Sequence, residues 1–227
     1  KQFPVPASIK TIDIKPFAFS KVAPIFSNLP EPKSDVNIRT MEEYDQGFGS
    51  IIYQTTLPEL ANGGFLTVND PHDYAQVFVD GKYIGTLDRR NGEKQLSLPP
   101  CKKGSRLDIF VEAMGRINFG RAIKDFKGIT DNVTVTEDRN GYHFTCELKN
   151  WKVYNIEDEY ECYKSYSYAP IESVSPDSTG RLPRGVYVGT FNINKPADTF
   201  LSFEKWGKGL VYVNGHGIGR IWEIGPQ

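Results

Sequence analysis

The chain reads as short runs in which apolar and polar residues alternate, interrupted at regular spacing by Gly, Pro, Asn and Asp. A period of two marks strands with one buried face, and breakers at that spacing predict an antiparallel all-β fold. Two runs echo one another, Val77-Phe78-Val79-Asp80-Gly81-Lys82-Tyr83-Ile84-Gly85 and Val211-Tyr212-Val213-Asn214-Gly215-His216-Gly217-Ile218-Gly219. Each predicts a hairpin, because Asp-Gly and Asn-Gly accept the two positive φ angles of a type I′ turn. Upstream, Phe65-Leu66-Thr67-Val68 matches Phe200-Leu201-Ser202-Phe203, and Ile52-Tyr53-Gln54-Thr55-Thr56-Leu57 matches Val186-Tyr187-Val188-Gly189-Thr190-Phe191. Three strands recurring in one order predict two tandem antiparallel β-sandwiches.

The first copy continues after its hairpin through Lys94–Leu98 and Arg106–Glu112, whereas the second has only a short stretch left before Gln227. By this internal comparison the second sandwich is expected to be incomplete at its C-terminus, which would expose unpaired strand edges. Residues 1–45 hold six prolines and one strand-like run, Thr11–Ile14, and are expected to be an extended linker segment. The first sandwich is placed at 46–155, a tyrosine-rich acidic connection at 156–181, and the second sandwich at 182–227. One helical turn is expected after Thr40, whose hydroxyl precedes Glu43 by three residues as in a capping box.

Charge narrows the partners. The chain carries 27 basic and 28 acidic side chains, a net charge of −1, so neither nucleic acid nor an anionic membrane surface is an expected partner. No run is long enough to span a bilayer. Cys101, Cys146 and Cys162 share no metal or redox spacing and are expected to be buried free thiols.

Candidate chemistry is sparse. Glycoside hydrolysis needs two facing carboxylates, and Glu112, Asp125, Glu204 and Glu223 sit in no context that marks a pair, so solvated or structural roles are expected. His72, His143 and His216 are isolated from one another, which supports neither a metal site nor a triad and leaves them as surface or turn residues. The glycine-rich run 215–219 follows a hairpin turn and opens no helix, so it is no phosphate cradle. Asn132-Val133-Thr134 is a formal glycosylation sequon inside an expected strand. Trp206 and Trp222, beside turn glycines, could stack on a sugar ring face or fill a core. No cofactor and no metal are implied.

Two motifs carry a resemblance. Glu112-Ala113-Met114-Gly115-Arg116-Ile117-Asn118-Phe119-Gly120, followed by Lys124-Asp125-Phe126-Lys127-Gly128-Ile129, resembles a segment of the glycoside hydrolase family 35 β-galactosidases. Trp206-Gly207-Lys208-Gly209, Val213-Asn214-Gly215, Ile218-Gly219-Arg220-Ile221-Trp222 and Gly225-Pro226-Gln227 resemble a second. The resemblance implies jelly-roll, galactose-binding-like sandwiches that accompany a (β/α)₈ barrel bearing the catalytic glutamates. No alternation of strands with long helices is present, so those glutamates cannot be assigned to any residue here. The implied partners are that barrel and, through the intact enzyme, a galactoside substrate. For the loop at 114–120 two readings stand: a tight turn in which Arg116 ties down backbone carbonyls, or a loop facing the barrel, with Arg116, Asn118 and Phe119 beside the galactose pocket. The region is thus expected to be a non-catalytic support for the barrel, with an autonomous carbohydrate-binding module and an architectural or oligomer-forming pair as alternatives.

Overall fold

A computed structural model of the chain describes residues 3–121, 123–139, 141–177 and 180–225, without the side chain of Asp138. Pro226 and Gln227 of the second motif lie outside the described residues. The strands in chain order are β1 (Phe19–Pro24), β2 (Lys33–Asp35), β3 (Ser50–Thr56), β4 (Gly64–Val68), β5 (Pro71–His72), β6 (Tyr74–Val79), β7 (Lys82–Asp88), β8 (Gln95–Leu98), β9 (Arg106–Glu112), β10 (Gly128–Ile129), β11 (Val133–Arg139), β12 (Tyr142–Glu147), β13 (Trp151–Ile156), β14 (Ala169–Pro170), β15 (Gly185–Gly189), β16 (Lys208–Val213) and β17 (His216–Trp222). Among the described residues there is one short helix, α1 (Tyr160–Lys164), in the stretch expected to be a plain connection. The chain is all-β, and among the described strands every ladder is antiparallel.

Two compact units divide the fold, one from Leu29 to Cys162 and one joining the residues up to Asn28 to those from Tyr163 onward. The first is a sandwich. A six-stranded sheet in the order β2-β13-β3-β9-β6-β7 and a four-stranded sheet in the order β12-β11-β4-β8 bury one continuous core between them. Alternation supplies that core: Ile51, Tyr53, Val77, Val79, Ile109 and Val111 come from one sheet and Leu66, Val68, Val133 and Val135 from the other. The expected hairpin joins β6 to β7 with Asp80 at φ 48° and Gly81 at φ 79°. Thr40 and Glu43 form the expected capping box over a single 3₁₀ turn, Glu42–Tyr44: Glu43 Oε2 accepts from Thr40 N at 3.0 Å, and Glu43 N donates to Thr40 Oγ1 at 3.4 Å.

The second unit holds a three-stranded sheet, β14-β1-β15, and the hairpin β16-β17. The repeat is faithful here down to a bulge: register slips between Val77 and Phe78 in one hairpin and between Val211 and Tyr212 in the other. Its third element departs from expectation. Phe200–Phe203 forms no strand and Phe200 is exposed. The equivalent β4 is held by ladders to β8 and β11 on both sides, and a strand without partners leaves its amides to water.

The proline-rich segment also does more than link. Phe19–Ala23 is free of proline, so it can donate to both neighbours, and β1 becomes the central strand between β14 and β15. Among the described residues, Val22, Ala23 and Ile25 are the only buried apolar side chains of this unit. The strand-like run at Thr11 makes a single bridge to Asp198. The cysteines are free, but the expectation of burial fails: Cys146 is exposed on edge strand β12, and Cys101 and Cys162 are half-buried.

Candidate functional site

β9 leaves the sandwich at Glu112 and the chain returns at β10 with Gly128; the described residues of the intervening loop form no helix or strand. Its two ends meet over a buried charge cluster. Lys127, 1 % exposed, donates from Nζ to Asp73 Oδ2 at 2.6 Å and to Gly115 O at 3.2 Å, and lies 2.8 Å from Asp125 Oδ2. Arg89 Nη1 donates to Asp73 Oδ1 at 2.7 Å and to Asp125 Oδ1 at 2.9 Å. Asp73 Oδ2 also accepts from the Met114 amide at 2.7 Å. Two carboxylates and two cations therefore neutralise one another, which is the condition under which buried charge is tolerated.

This environment sets the Asp125 carboxyl. Burial alone would raise it, but hydrogen bonds from Lys127 and Arg89, reinforced by their charges, outweigh that and hold it down to about 2. His72 caps the cluster. Its Nδ1 donates to Phe126 O at 2.5 Å and its Nε2 lies 3.1 Å from Asp70 Oδ2. It is buried, contrary to the expectation of a surface or turn histidine, because β5 pairs with β10 and carries the ring under the loop. His143 and His216 are exposed as expected.

A second clamp lies further out. Arg116 donates from Nη2 to Gly47 O at 2.6 Å and from Nη1 to Asp125 O at 2.8 Å, with Glu42 Oε1 2.5 Å from Nη1. Glu42 in turn accepts the Lys127 amide at 3.1 Å. The planar five-donor guanidinium suits this work, tying the outgoing limb at once to the returning limb at Asp125 O and to the segment before β3 at Gly47 O. Between the clamps the loop turns its apolar side chains outward: Phe119 is 90 % exposed and Ile123 61 %, with Ile117, Phe126 and the neighbouring Phe48 also exposed. Asn118 is exposed beside them.

Trp206 is exposed and Trp222 half-buried, and each ring has neighbours packed against it. Trp206 meets Phe19 edge-on at 4.8 Å between ring centroids and Tyr187 at 5.6 Å. Lys208 Nζ sits 4.8 Å from the centroid of the Trp222 ring. Glu204 and Glu223 are exposed, Glu223 accepting from the Gly207 amide, while Glu112 and Asp125 are buried. Among the described residues no group of side chains could hold a metal ion, and no helix is long and apolar enough to cross a membrane.

Residues 39–157 match the family model described as "Beta-galactosidase, first all-beta domain", and residues 185–227 match "Beta-galactosidase, galactose-binding domain". The chain belongs to the β-galactosidase family. Similar proteins include a β-galactosidase of Xanthomonas manihotis, 30 % identical over 98 % of this chain and 34 % of that protein. Those of Mus musculus and Homo sapiens are 36 % and 34 % identical, each over 83 % of this chain and 30 % and 29 % of their own lengths. The chain thus spans about a third of the length of the curated relatives it matches.

The first of the two motifs that carry the resemblance forms the two limbs of the clamped loop. In Lys124-Asp125-Phe126-Lys127-Gly128, Asp125 and Lys127 are the buried ions, and Gly128, at φ +86°, lies beneath the Tyr53 hydroxyl, where a Cβ would overlap Oη. Asp73, Arg89 and Glu42 escaped the sequence reading, which placed His72 at the surface or in a turn. Asp73 stands 54 residues from Lys127 and Arg89 stands 36 from Asp125, so no local spacing links them. The available signal was Lys127 itself, a charge set between Phe126 and Gly128-Ile129 where a buried run begins.

Proposed function

We propose that this region is the non-catalytic β-sandwich part of a β-galactosidase, in which hydrolysis of terminal β-galactosides belongs to the whole enzyme. It supports a (β/α)₈ catalytic barrel and shapes the mouth of the active site through the loop at 114–126. The observation that carries this reading is the loop itself, a rigidly based connection that spends its apolar side chains on solvent. Exposed apolar clusters of that kind mark interaction surfaces, and Phe119 at 90 % exposure is the most prominent of them. In this reading Phe119 walls the galactose pocket from outside, Asn118 offers its amide to the sugar or its surroundings, and Arg116 holds both in place. The acid/base and nucleophile are assigned to the barrel and to no residue of this chain.

Substituting Arg116→Ala in the intact enzyme is expected to lower activity or destabilise the region, since three contacts are lost. Unchanged kinetics together with an unchanged melting temperature would overturn the reading. Calorimetric titration of galactose and lactose into this chain is expected to give no saturable heat. Saturable binding would instead favour an autonomous carbohydrate-binding module built on Trp206 or Trp222, against which stand the Phe19, Tyr187 and Lys208 groups packed on those rings. A null titration with a defined oligomer by light scattering of the intact protein, and no effect of Arg116→Ala, would favour a purely architectural pair.

A further inference from the structure

Both ends of the loop converge on one ammonium group. On the outgoing limb, Gly115 O accepts from Lys127 Nζ, and the Met114 amide shares Asp73 Oδ2 with it; on the returning limb, Asp125 faces it at 2.8 Å. Holding a lysine this deep costs desolvation and side-chain entropy, and well-packed apolar residues in place of buried ions are commonly as stable or more so. Stability alone is therefore a weak account of the cluster. What an ion of this kind supplies, and an apolar filler does not, is fixed geometry: three acceptors from three segments of chain held at hydrogen-bond distance from one atom.

We propose that Lys127 is a positioning residue, which through Asp73 and Asp125 sets the separation of the loop ends and so fixes where Phe119 is presented; its consequence for a substrate rests on the reading of Phe119 as a wall of the galactoside pocket. Arg116 then orients the outer part of the loop against Gly47 and Asp125, three residues from Phe119. Without the ammonium the loop keeps this outer latch, the Arg89 bridge between Asp73 and Asp125 and the His72 bond to Phe126 O, but it loses the tie to Gly115 O and the direct charge partner of both carboxylates. The outgoing limb, freed at Gly115, shifts against the returning one, and the aromatic ring no longer returns to one place. A pocket wall displaced by about 1 Å is enough to weaken substrate placement.

The test is hydrogen exchange on this chain carrying Lys127→Met, which keeps the length of the stem and removes the charge. The reporters are the Met114 amide and the amide of position 127, bonded to Asp73 and Glu42 respectively, read against the amides of β3 and β9. Protection at the two loop ends is expected to fall about tenfold or more beyond any change in the two strands. A loss shared equally by loop ends and strands, or no loss at all, would overturn the proposal. Asp125→Asn, which keeps the acceptor shape with less charge, is expected to loosen the same amides to a smaller degree, and it decides the matter if Lys127→Met does not fold. In a β-galactosidase carrying this region, Lys127→Met is expected to raise KM several-fold more than it lowers kcat. Loosened loop ends with unchanged kinetics would sustain the positioning role and overturn the pocket reading.

Discussion

Gly128 offers the sharpest test of how the loop is seated. Its φ is +86°, a Cβ there would overlap Tyr53 Oη, and Met41 Cγ would lie at 3.0 Å. Tyr53 has no room to yield: it is fully buried, its hydroxyl donates to Arg39 O at 2.9 Å and accepts from the Ile129 amide at 3.2 Å, and burial drives its ionisation far above the ordinary tyrosine range. In Gly128→Ala the left-handed backbone costs about 1–2 kcal/mol. Displacing the hydroxyl leaves buried partners unsatisfied at about 1–3 kcal/mol. The sum is about 2–5 kcal/mol. Tyr53→Phe alone should cost about 1–2 kcal/mol through the same lost hydrogen bonds, but it also clears the space the new methyl needs. Combined, the two substitutions are expected to be less destabilising than their sum by about 1–3 kcal/mol. Hydrogen exchange of the β3 and β9 amides in increasing urea reads this unit alone and supplies all four corners of the cycle. Additivity to within about 0.5 kcal/mol, or a cost for Gly128→Ala below about 1 kcal/mol, would refute the account of Gly128 as a residue required by steric contact with Tyr53.

Two further outcomes follow from the same structure. Asp125 has its carboxyl lowered from 3.8 to about 2, so the cluster stabilises the unit fully above about pH 4 and the contribution disappears as pH falls through about 2; the difference is worth about 2 kcal/mol. Urea unfolding from pH 7 to pH 2 should therefore show a steeper acid loss in the parent than in Asp125→Asn, and parallel curves would argue against the pairing with Lys127 and Arg89. Deleting residues 1–28 removes β1 and with it Val22, Ala23 and Ile25, the buried apolar side chains among the described residues of its unit. Amide protection in β15 should vanish while β3 and β9 keep theirs, and a β15 that remains protected would show that β1 is dispensable.

Local chemistry along the chain was enough to determine a good deal. The Asp80-Gly81 and Asn214-Gly215 turns, the period-two strands of the first unit and the capping box at Thr40 depend on backbone preferences over a few residues, and they appear as expected. The motif around Arg116 and Lys127 was sufficient for the family because its residues are adjacent in sequence. Tertiary structure alone decided the rest. That a proline-rich segment supplies the central strand of a unit beginning again at Tyr163 is a pairing across more than a hundred residues, set by which edge is vacant and not by propensity. Phe200–Phe203 shows the converse, a strand-like run left unformed where no partner ladder exists. The meeting of Lys127 with Asp73, Asp125 and Arg89, and the burial of His72 beneath the loop, depend on three segments brought together by the sheets. Charge attraction acts over a few ångströms of space, and sequence spacing does not encode which distant charges will come within that reach.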